Sequence, residues 1–422
     1  MRQLKVYYEG DLVGTLLQQV GQYIPKFYYD STWIEHGFPL SLSLPLIPED
    51  LGEKAFNFFT NLLPEGDART RIVGKLKIPN DDFSLLGAIG GECAGALVLC
   101  TDYMDPADGW YEQISESTFD QMVETNGLSI TSIHSKNRLS LAGAQDKLPI
   151  YMDGDQYYLP QNGAASTHII KFNVLAYKNV PAYETLMAMI ASEAGITVAP
   201  ISYHTHTNGA FALIERYDRE LVSNYDVRRL HQEDFCQATG RSSGQKYPVK
   251  DDQTDNALGE IIAILREYSS NPLQDMMKVI RWQIFNVLSG NSDAHLKNIS
   301  LLYAVDANKR VTVNLAPFYD LVCTHAIERI SKELAIPVGK QDNPDNVHYS
   351  DWVAMADDCG VTQKIVINEV MRLANYLPQW TVESIENFEE KYGAYPALQR
   401  IERSSNILCR RAIDAIELQT KR

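Results

Sequence analysis

The nine residues Gly290-Asn291-Ser292-Asp293-Ala294-His295-Leu296-Lys297-Asn298 bring a carboxylate, an imidazole, an ammonium group and a carboxamide together. Asp293 and Asn298 stand in D-x-x-x-x-N spacing, at which a phosphoryl-transfer loop sets a hydroxyl-accepting Asp and a magnesium-binding Asn around one phosphoryl group. Such chemistry requires a second carboxylate downstream. Asn314-Leu315-Ala316-Pro317-Phe318-Tyr319-Asp320 reads as a short apolar strand ending in Asp320, an oxygen ligand of the kind Mg²⁺ takes. Asn, Ser and Asp also enrich ordinary turns, so the spacing alone leaves a plain turn open.

The elements around this loop have the pattern needed to hold it. Val279, Ile280, Trp282, Ile284, Phe285, Val287 and Leu288 predict a buried helix that Gly290 ends, and Ile299 to Tyr303 predict a strand after the loop. Upstream, Arg138 to Tyr151 is a small-residue loop between two β-like runs. Ala142, Gly143, Ala144, Gln145 and Asp146 would let backbone N–H groups approach phosphate oxygens, and Lys147 would add positive charge; a plain β-turn is the alternative. Thr167 to Phe172 reads as a strand with Lys171 among apolar neighbours. It is either a snorkelling edge lysine or one that needs an anion, with Glu184 at the opening of the next helical run as the candidate carboxylate. The strand Ala210 to Ile214 runs into Glu215-Arg216-Tyr217, placed where a nucleotide hinge would offer backbone groups to an adenine edge.

Strands are expected at Lys5–Tyr8, Leu12–Leu16, Lys26–Tyr29 and Ile196–His204, with helical spacing at Phe56–Leu63. From Leu230 onward helical spacing dominates, at Gln232–Ala238, Ala257–Tyr268, Pro272–Leu288, Tyr349–Ala356, Gln363–Ala374 and Asn406–Leu418. A β-rich half precedes a helical half. The expected division is 1–110, 130–220 and 221–422, with residues 100–135 as a polar connection carrying one short helix.

Composition excludes several classes. With 422 residues and 45% apolar content the chain can bury a large core. A net charge of −16, from 54 acidic against 38 basic residues, disfavours non-specific nucleic-acid binding by the chain as a whole; Arg400, Arg403, Arg410, Arg411, Lys421 and Arg422 offer a local basic patch but read first as a solvated helix face. Six cysteines lack C-x-x-C spacing and are expected to be buried thiols rather than zinc ligands or disulfides. No signal-type segment or run of about 18 apolar residues occurs, so a cytoplasmic protein with no membrane contact is expected. The glycines at 87, 90, 91 and 95 are not followed by G-K-[ST] and read as tight-packing positions instead of a phosphate loop.

Four stretches together resemble the HipA family of bacterial type II toxin–antitoxin serine/threonine kinases, across nearly the whole chain. They are Pro39 to Leu46 (PLSLSLPL), Asn61 to Gly66 (NLLPEG), Ser140 to Lys147, and Gly290 to Asn298. The resemblance implies an α+β, two-lobed protein-kinase-like fold with an extra N-terminal subdomain, and ATP and Mg²⁺ as cofactors. It implies a helix-turn-helix antitoxin of the HipB type as partner, operator DNA reached through the antitoxin complex, and a protein substrate; glutamyl-tRNA synthetase is the family's best-known target. Carried over by motif, Asp293 is the catalytic base, Asn298 and Asp320 hold Mg²⁺ with Tyr319 beside them, and His295 and Lys297 lie near the phosphates. Lys171 binds the α/β-phosphates, residues 142–147 form the phosphate loop, and Glu215, Arg216 and Tyr217 form the adenine hinge. Ser140 matches the serine that the family autophosphorylates to turn the kinase off. Asp146 departs from the Glu common in relatives. The alternative reading is a non-catalytic scaffold that helps the antitoxin repress transcription.

Overall fold

The computed structural model describes residues 1–19, 21–101, 109–130, 147–174, 177, 179–248, 256–306 and 310–420. The chain begins β1 (Arg2–Tyr8), β2 (Asp11–Gln18), β3 (Lys26–Tyr29), α1 (Ser31–His36), α2 (Gly52–Thr60), α3 (Gly66–Leu76), α4 (Asp82–Ile89) and β4 (Leu97–Cys100). It continues with β5 (Trp110–Gln113), α5 (Glu116–Glu124), β6 (Lys147–Asp153), β7 (Gln156–Gln161), β8 (His168–Phe172), α6 (Val180–Glu193), β9 (Ile201–His206) and β10 (Gly209–Glu215). Then come β11 (Arg219–Ser223), β12 (Asp226–Arg229), β13 (His231–Asp234), α7 (Phe235–Thr239), α8 (Ala257–Tyr268) and α9 (Pro272–Ser289). The last elements are β14 (Ser300–Val305), β15 (Val311–Leu315), α10 (Tyr349–Asp358), α11 (Gln363–Tyr392) and α12 (Gln399–Thr420).

The chain forms two compact units. The first comprises Met1–Val174, His206–Lys246 and Ser300–Val313; the second comprises Leu175–Thr205, Tyr247–Ile299 and Asn314–Arg422. In the first, a sheet of order β3-β2-β1-β4 buries Leu4, Val6, Val13, Leu16 and Phe27 against Phe58 and Phe59 of α2, the alternation of strands that are apolar on one face. A second sheet pairs β5 with β7, β7 with β6, β6 with β8 and β8 with β10, all antiparallel. Its own core contains Leu148, Ile150, Ile170, Phe172, Phe211 and Leu213 beneath Phe119 and Met122 of α5. In the second unit α9, whose Trp282, Ile284 and Phe285 are fully buried, packs against α8, α11 and α12. All six cysteines are buried and free. Among the described residues no helix is long and apolar enough to cross a membrane.

Most expected elements are present, and the differences have physical reasons. Gln232–Ala238 is not one helix. Gln232–Asp234 belongs to β13, paired with β14, and the helix starts only at Phe235, where Asp234 accepts from the Gln237 N–H in a capping box. The inward residues of β13 are His231 and Glu233, both with no exposed surface, so polar groups hide the strand from a hydrophobic period. Asn314–Asp320 is not a strand throughout: β15 ends at Leu315 and only Phe318 makes an isolated parallel bridge, to Val198. The expected strand at Ile196–His204 begins at Ile201, α6 opens at Val180 rather than at Glu184, and α11 runs through Pro378 to Tyr392. The connection before residue 135 holds the expected helix and also β5, an edge strand.

His231 and Glu233 explain the PLSLSLPL motif. His231 Nε2 lies 2.7 Å from the Leu40 carbonyl, the Leu42 N–H donates to Glu233 at 3.1 Å, and the Tyr303 hydroxyl donates to the same carboxylate. The Ser41 and Ser43 hydroxyls donate to the Gln237 carbonyl at 3.2 and 2.7 Å. Burial pushes Glu233 up to about 7 against these donors, and burial holds His231 down to about 4. Folded Glu233 therefore keeps its proton to higher pH than the unfolded chain. The stability this brings is complete below about pH 4.5 and is lost as pH rises through about 7. His231 acts on the opposite side, losing stability as pH falls from about 6.5 toward about 4. Glu233→Gln should thus melt higher than the parent at about pH 8 and lose the advantage near about pH 5, in thermal melts followed by circular dichroism. Equal differences at both pH values would overturn this assignment.

Candidate active site

Helix α9 ends because Gly290 adopts φ 74°, from which its N–H reaches the Asn286 and Val287 carbonyls. Each following residue is then tied down. The Gly290 carbonyl accepts from the His325 N–H and the Thr324 hydroxyl, both at 3.1 Å. Asn291 donates from its backbone to the Asn286 carbonyl at 2.9 Å and from its amide to the Asn286 side chain at 3.0 Å. Ser292 donates to Thr324 Oγ1 and to the Lys332 carbonyl, both at 2.9 Å, and accepts from the Ala335 N–H at 2.8 Å. The Asp293 carbonyl accepts from the His295 N–H and from Asn298 Nδ2, both at 2.9 Å. The backbone is over-determined, yet the Asp293 side chain is exposed and Tyr247 donates its hydroxyl to Oδ1 at 2.8 Å. The Tyr247 ring also meets His295 edge-on at 5.3 Å.

His295, Lys297 and Asn298 are buried beside Asp293 in the sequence order that the spacing implied. Because Asn298 Nδ2 is anchored on the Asp293 carbonyl, its remaining amide atom, Oδ1, is a hard oxygen donor suited to Mg²⁺. Asp320 follows a rigid stem. Phe318 donates to the Thr197 carbonyl and accepts from the Ala199 N–H, both at 2.9 Å, and its ring stacks on Trp282 at 5.3 Å. Asp320 itself has φ 59°, a left-handed conformation that Asp tolerates better than most side chains. Tyr319 donates its hydroxyl to the Lys297 carbonyl at 2.8 Å, joining the two segments. Among the described residues no cluster of three or more His, Cys, Asp or Glu is arranged for a metal, so a cation here would take one carboxylate, one carboxamide and further oxygens from its own ligand.

Lys147, Lys171 and Glu215 to Tyr217 belong to the first unit. Lys147 opens β6 and is the direct register partner of Lys171 on β8, so both lysines stand on one face of the sheet. Lys171 is only 6% exposed. Like charges directly opposite repel, which demands negative charge nearby. Glu184 lies on α6 in the second unit and is buried. At the end of β10, Glu215 is exposed, and Tyr217 donates its hydroxyl to Gln232. Arg216 does not face a ligand. Its guanidinium is spent on Glu92 at 3.0 Å, Asp218 at 2.7 Å and the Cys93 carbonyl at 2.9 Å, and its N–H donates to the Thr167 carbonyl at 2.9 Å. Any contact of Arg216 with an adenine edge is therefore left to its carbonyl. Ser140, Ala142, Gly143, Ala144, Gln145 and Asp146 lie outside the described residues. Sequence reasoning missed Tyr247 and Glu92, which stand 46 and 124 positions from the partners Asp293 and Arg216 and carry no local motif.

Comparison with known proteins decides the family. The HipA-like C-terminal domain profile matches residues 139–380, and the HipA N-terminal domain profile matches residues 4–100. This chain belongs to the HipA family. Its sequence is 31% identical to Y4mE of Sinorhizobium fredii over 93% of this chain and 94% of that protein. It is 27% identical to the serine/threonine-protein kinase toxin HipA of Shewanella oneidensis, over 85% and 83%. A chain of the solved Shewanella oneidensis MR-1 complex of HipA, HipB and operator DNA superimposes with a TM-score of 0.82 at 24% identity, over 98% of this chain and 97% of that one. The kinase-like α+β fold is thereby established, and the chain is a HipA-family kinase.

Gly290 offers a direct test of the loop's anchorage. A Cβ there would sit 2.9 Å from His325 Cβ and 3.0 Å from Ser404 Oγ, in a conformation costing an L-residue about 1–2 kcal/mol. Gly290→Ala should lower the melting temperature and reduce phosphoryl transfer together, measured on the same preparation. Full stability with full activity would show that the loop does not depend on this cap.

Proposed function

We propose that this HipA-family chain is an ATP- and Mg²⁺-dependent serine/threonine kinase that acts as the toxin of a toxin–antitoxin pair. The observation that carries the reading is the loop from Gly290 to Asn298, in which backbone anchorage is nearly complete while the Asp293 carboxylate is presented to solvent. That is how a positioning base must be built, because phosphoryl transfer requires orientation and charge neutralisation more than covalent chemistry. Asp293 orients the incoming serine or threonine hydroxyl and takes its proton. Asn298 Oδ1 and the Asp320 carboxylate would hold Mg²⁺, while Lys147 and Lys171 would offset phosphate charge with His295 and Lys297 close to the phosphates. When bound, Mg²⁺-ATP supplies the transferable phosphoryl group. Main-chain groups of Glu215 to Tyr217 would meet the adenine edge.

The partner in this reading is a helix-turn-helix antitoxin of the HipB type, through which the pair reaches operator DNA. The Shewanella complex with HipB and DNA, a fold match, and the chain's charge of −16 support leaving the phosphate contacts mainly to the antitoxin. The protein acts in the cytoplasm, and an aminoacyl-tRNA synthetase such as glutamyl-tRNA synthetase is the proposed target; phosphoproteomics after brief expression without antitoxin identifies it. A scaffold without catalysis would not need a base held on so constrained a loop. Asp293→Asn should keep the fold and lower transfer from labelled ATP by at least ~10²-fold. Unchanged turnover in that variant would sink the assignment.

Ser140, in the same reading, is autophosphorylated to switch the kinase off. A phosphoserine adds about −1.5 to −2 charge next to a loop that must approach ATP phosphates, so the two anions compete. Intact mass after incubation with Mg²⁺ and ATP should show one phosphate at Ser140, and that form should bind ATP more weakly. An unmodified Ser140 alongside phosphorylation of another protein would remove the switch and leave the kinase.

A further inference from the structure

We infer that Glu92, in the glycine-rich segment of the N-terminal domain, is a positioning residue for the nucleotide, acting through the hinge segment Glu215–Tyr217. The inference rests on the nucleotide reading above and adds a residue far from every family motif quoted for it.

Glu92 is 2% exposed and faces donors from three separate stretches. Its Oε1 accepts from the Ser166 N–H at 3.1 Å, the Ser166 hydroxyl at 2.8 Å, Arg216 Nη1 at 3.0 Å and Arg219 Nη2 at 2.9 Å. Its Oε2 accepts from Arg229 Nη2 at 2.6 Å and Arg229 Nε at 3.1 Å. Burial alone would push this carboxyl up, yet Arg219, Arg229 and Arg216 hold it well below the usual carboxylate range. Asp218 is the second acid, pairing with Arg216 at 2.7 Å and accepting from the Gly95 N–H at 2.7 Å. Gly95 has φ 76° and a Cβ would lie 3.1 Å from the Gln232 nitrogen, so the glycine lets the two backbones approach.

The donors bracket the start of one strand and the end of its neighbour. Ser166 precedes β8, which carries Lys171, and Arg216 follows β10; the two strands pair with His168 opposite Glu215. The Thr167 carbonyl takes the Arg216 N–H at 2.9 Å. One carboxylate therefore fixes where the hinge leaves the sheet. A buried ionic cluster is weak evidence for stability, since apolar side chains of like volume often stabilise as much. What it does fix is geometry. Without the Glu92 charge, Arg216 and Arg219 would share Asp218 as their one carboxylate, Arg229 would lose the carboxylate it pairs with, and the mutual repulsion would act directly on Arg216 and its backbone.

The test uses the full chain and three variants. Glu92→Gln should remain folded by circular dichroism, bind Mg²⁺-ATP about tenfold more weakly in calorimetry, and show the loss in the KM for ATP while transfer at saturating ATP stays within about twofold. Glu92→Gln combined with Arg229→Gln restores the original charge balance and should recover most of the affinity. Ser166→Ala removes one hydrogen bond and no charge, and should weaken ATP by about two- to fivefold; it decides the matter if Glu92→Gln fails to fold. A folded Glu92→Gln with parental affinity, an effect on turnover alone, or a Ser166→Ala indistinguishable from the parent overturns the positioning role. Failure of the parent itself to bind Mg²⁺-ATP would instead overturn the nucleotide reading, a result distinguishable from insensitivity of the variants.

Discussion

A carboxylate with almost no exposed surface is tolerable only while its counter-charges stay in place, and Glu92 holds three of them. Each guanidinium is in turn capped by carbonyls: Cys93 for Arg216 and Arg219, Gly95 for Arg219, and Gly163 and Ala164 for Arg229. The cluster thus writes one backbone arrangement for the glycine-rich segment, the turn before β8 and the exit of β10 at once. Displacing any of them leaves a buried charge without its partner, a loss of several kcal/mol by usual measures of broken buried pairs, roughly 3–5. The cluster lies within the compact unit that contains both the N-terminal sheet and β6–β8 and β10. The PLSLSLPL turn adds a second attachment through Leu40, Leu42 and the two serines, again to polar atoms of β13 and α7.

The candidate loop in the second unit follows a different economy of interactions. Here the anchors are backbone hydrogen bonds and short uncharged side chains, and the Asp293 carboxylate is left at the surface. Gly290, Asn291 and Ser292 are held by Asn286, Thr324, His325, Lys332 and Ala335, while the Asp293 side chain stays exposed and accepts from Tyr247. Asp320 reaches its place by way of Phe318, whose stacking on Trp282 and bonds to Thr197 and Ala199 stop the chain from sliding. A side chain that must meet a reacting hydroxyl gains accuracy when packing fixes its backbone and spares its functional atoms.

Much of this was legible in the residues. Lys26–Tyr29 and Ala257–Tyr268 were readable to the residue because apolar alternation and apolar 3.6-spacing coincide there with clear turn and cap signals. The loop and its flanking helix and strand were legible because spacing and glycine punctuation are local properties. β13 was not, since its inward side chains are His231 and Glu233, whose burial is tolerated through hydrogen bonds to residues 70 and 191 positions away. Asn314–Asp320 has apolar content suited to a strand, but a strand needs neighbours along its length and Phe318 finds one bridge. Arg216 read as part of a hinge, and its position after β10 is as expected. Its burial is a consequence of Glu92 and Asp218, and nothing near Arg216 in sequence announces the first of these.

The two lysines set opposite one another on β6 and β8 extend the same logic from structure to function. Antiparallel partners share a face, so Lys147 and Lys171 cannot avoid each other by pointing apart. With Lys171 almost wholly shielded from water, the repulsion is screened less than at an open surface. Such an arrangement needs negative charge near it, and under the proposed nucleotide reading the phosphates would add to what the protein itself supplies. The chain elsewhere carries a net excess of acid, which repels polyanions in general. In the proposed reading this pair of ammonium groups would help to hold the phosphates of a small nucleotide, while the acid excess of the chain as a whole disfavours extended polyanions such as DNA.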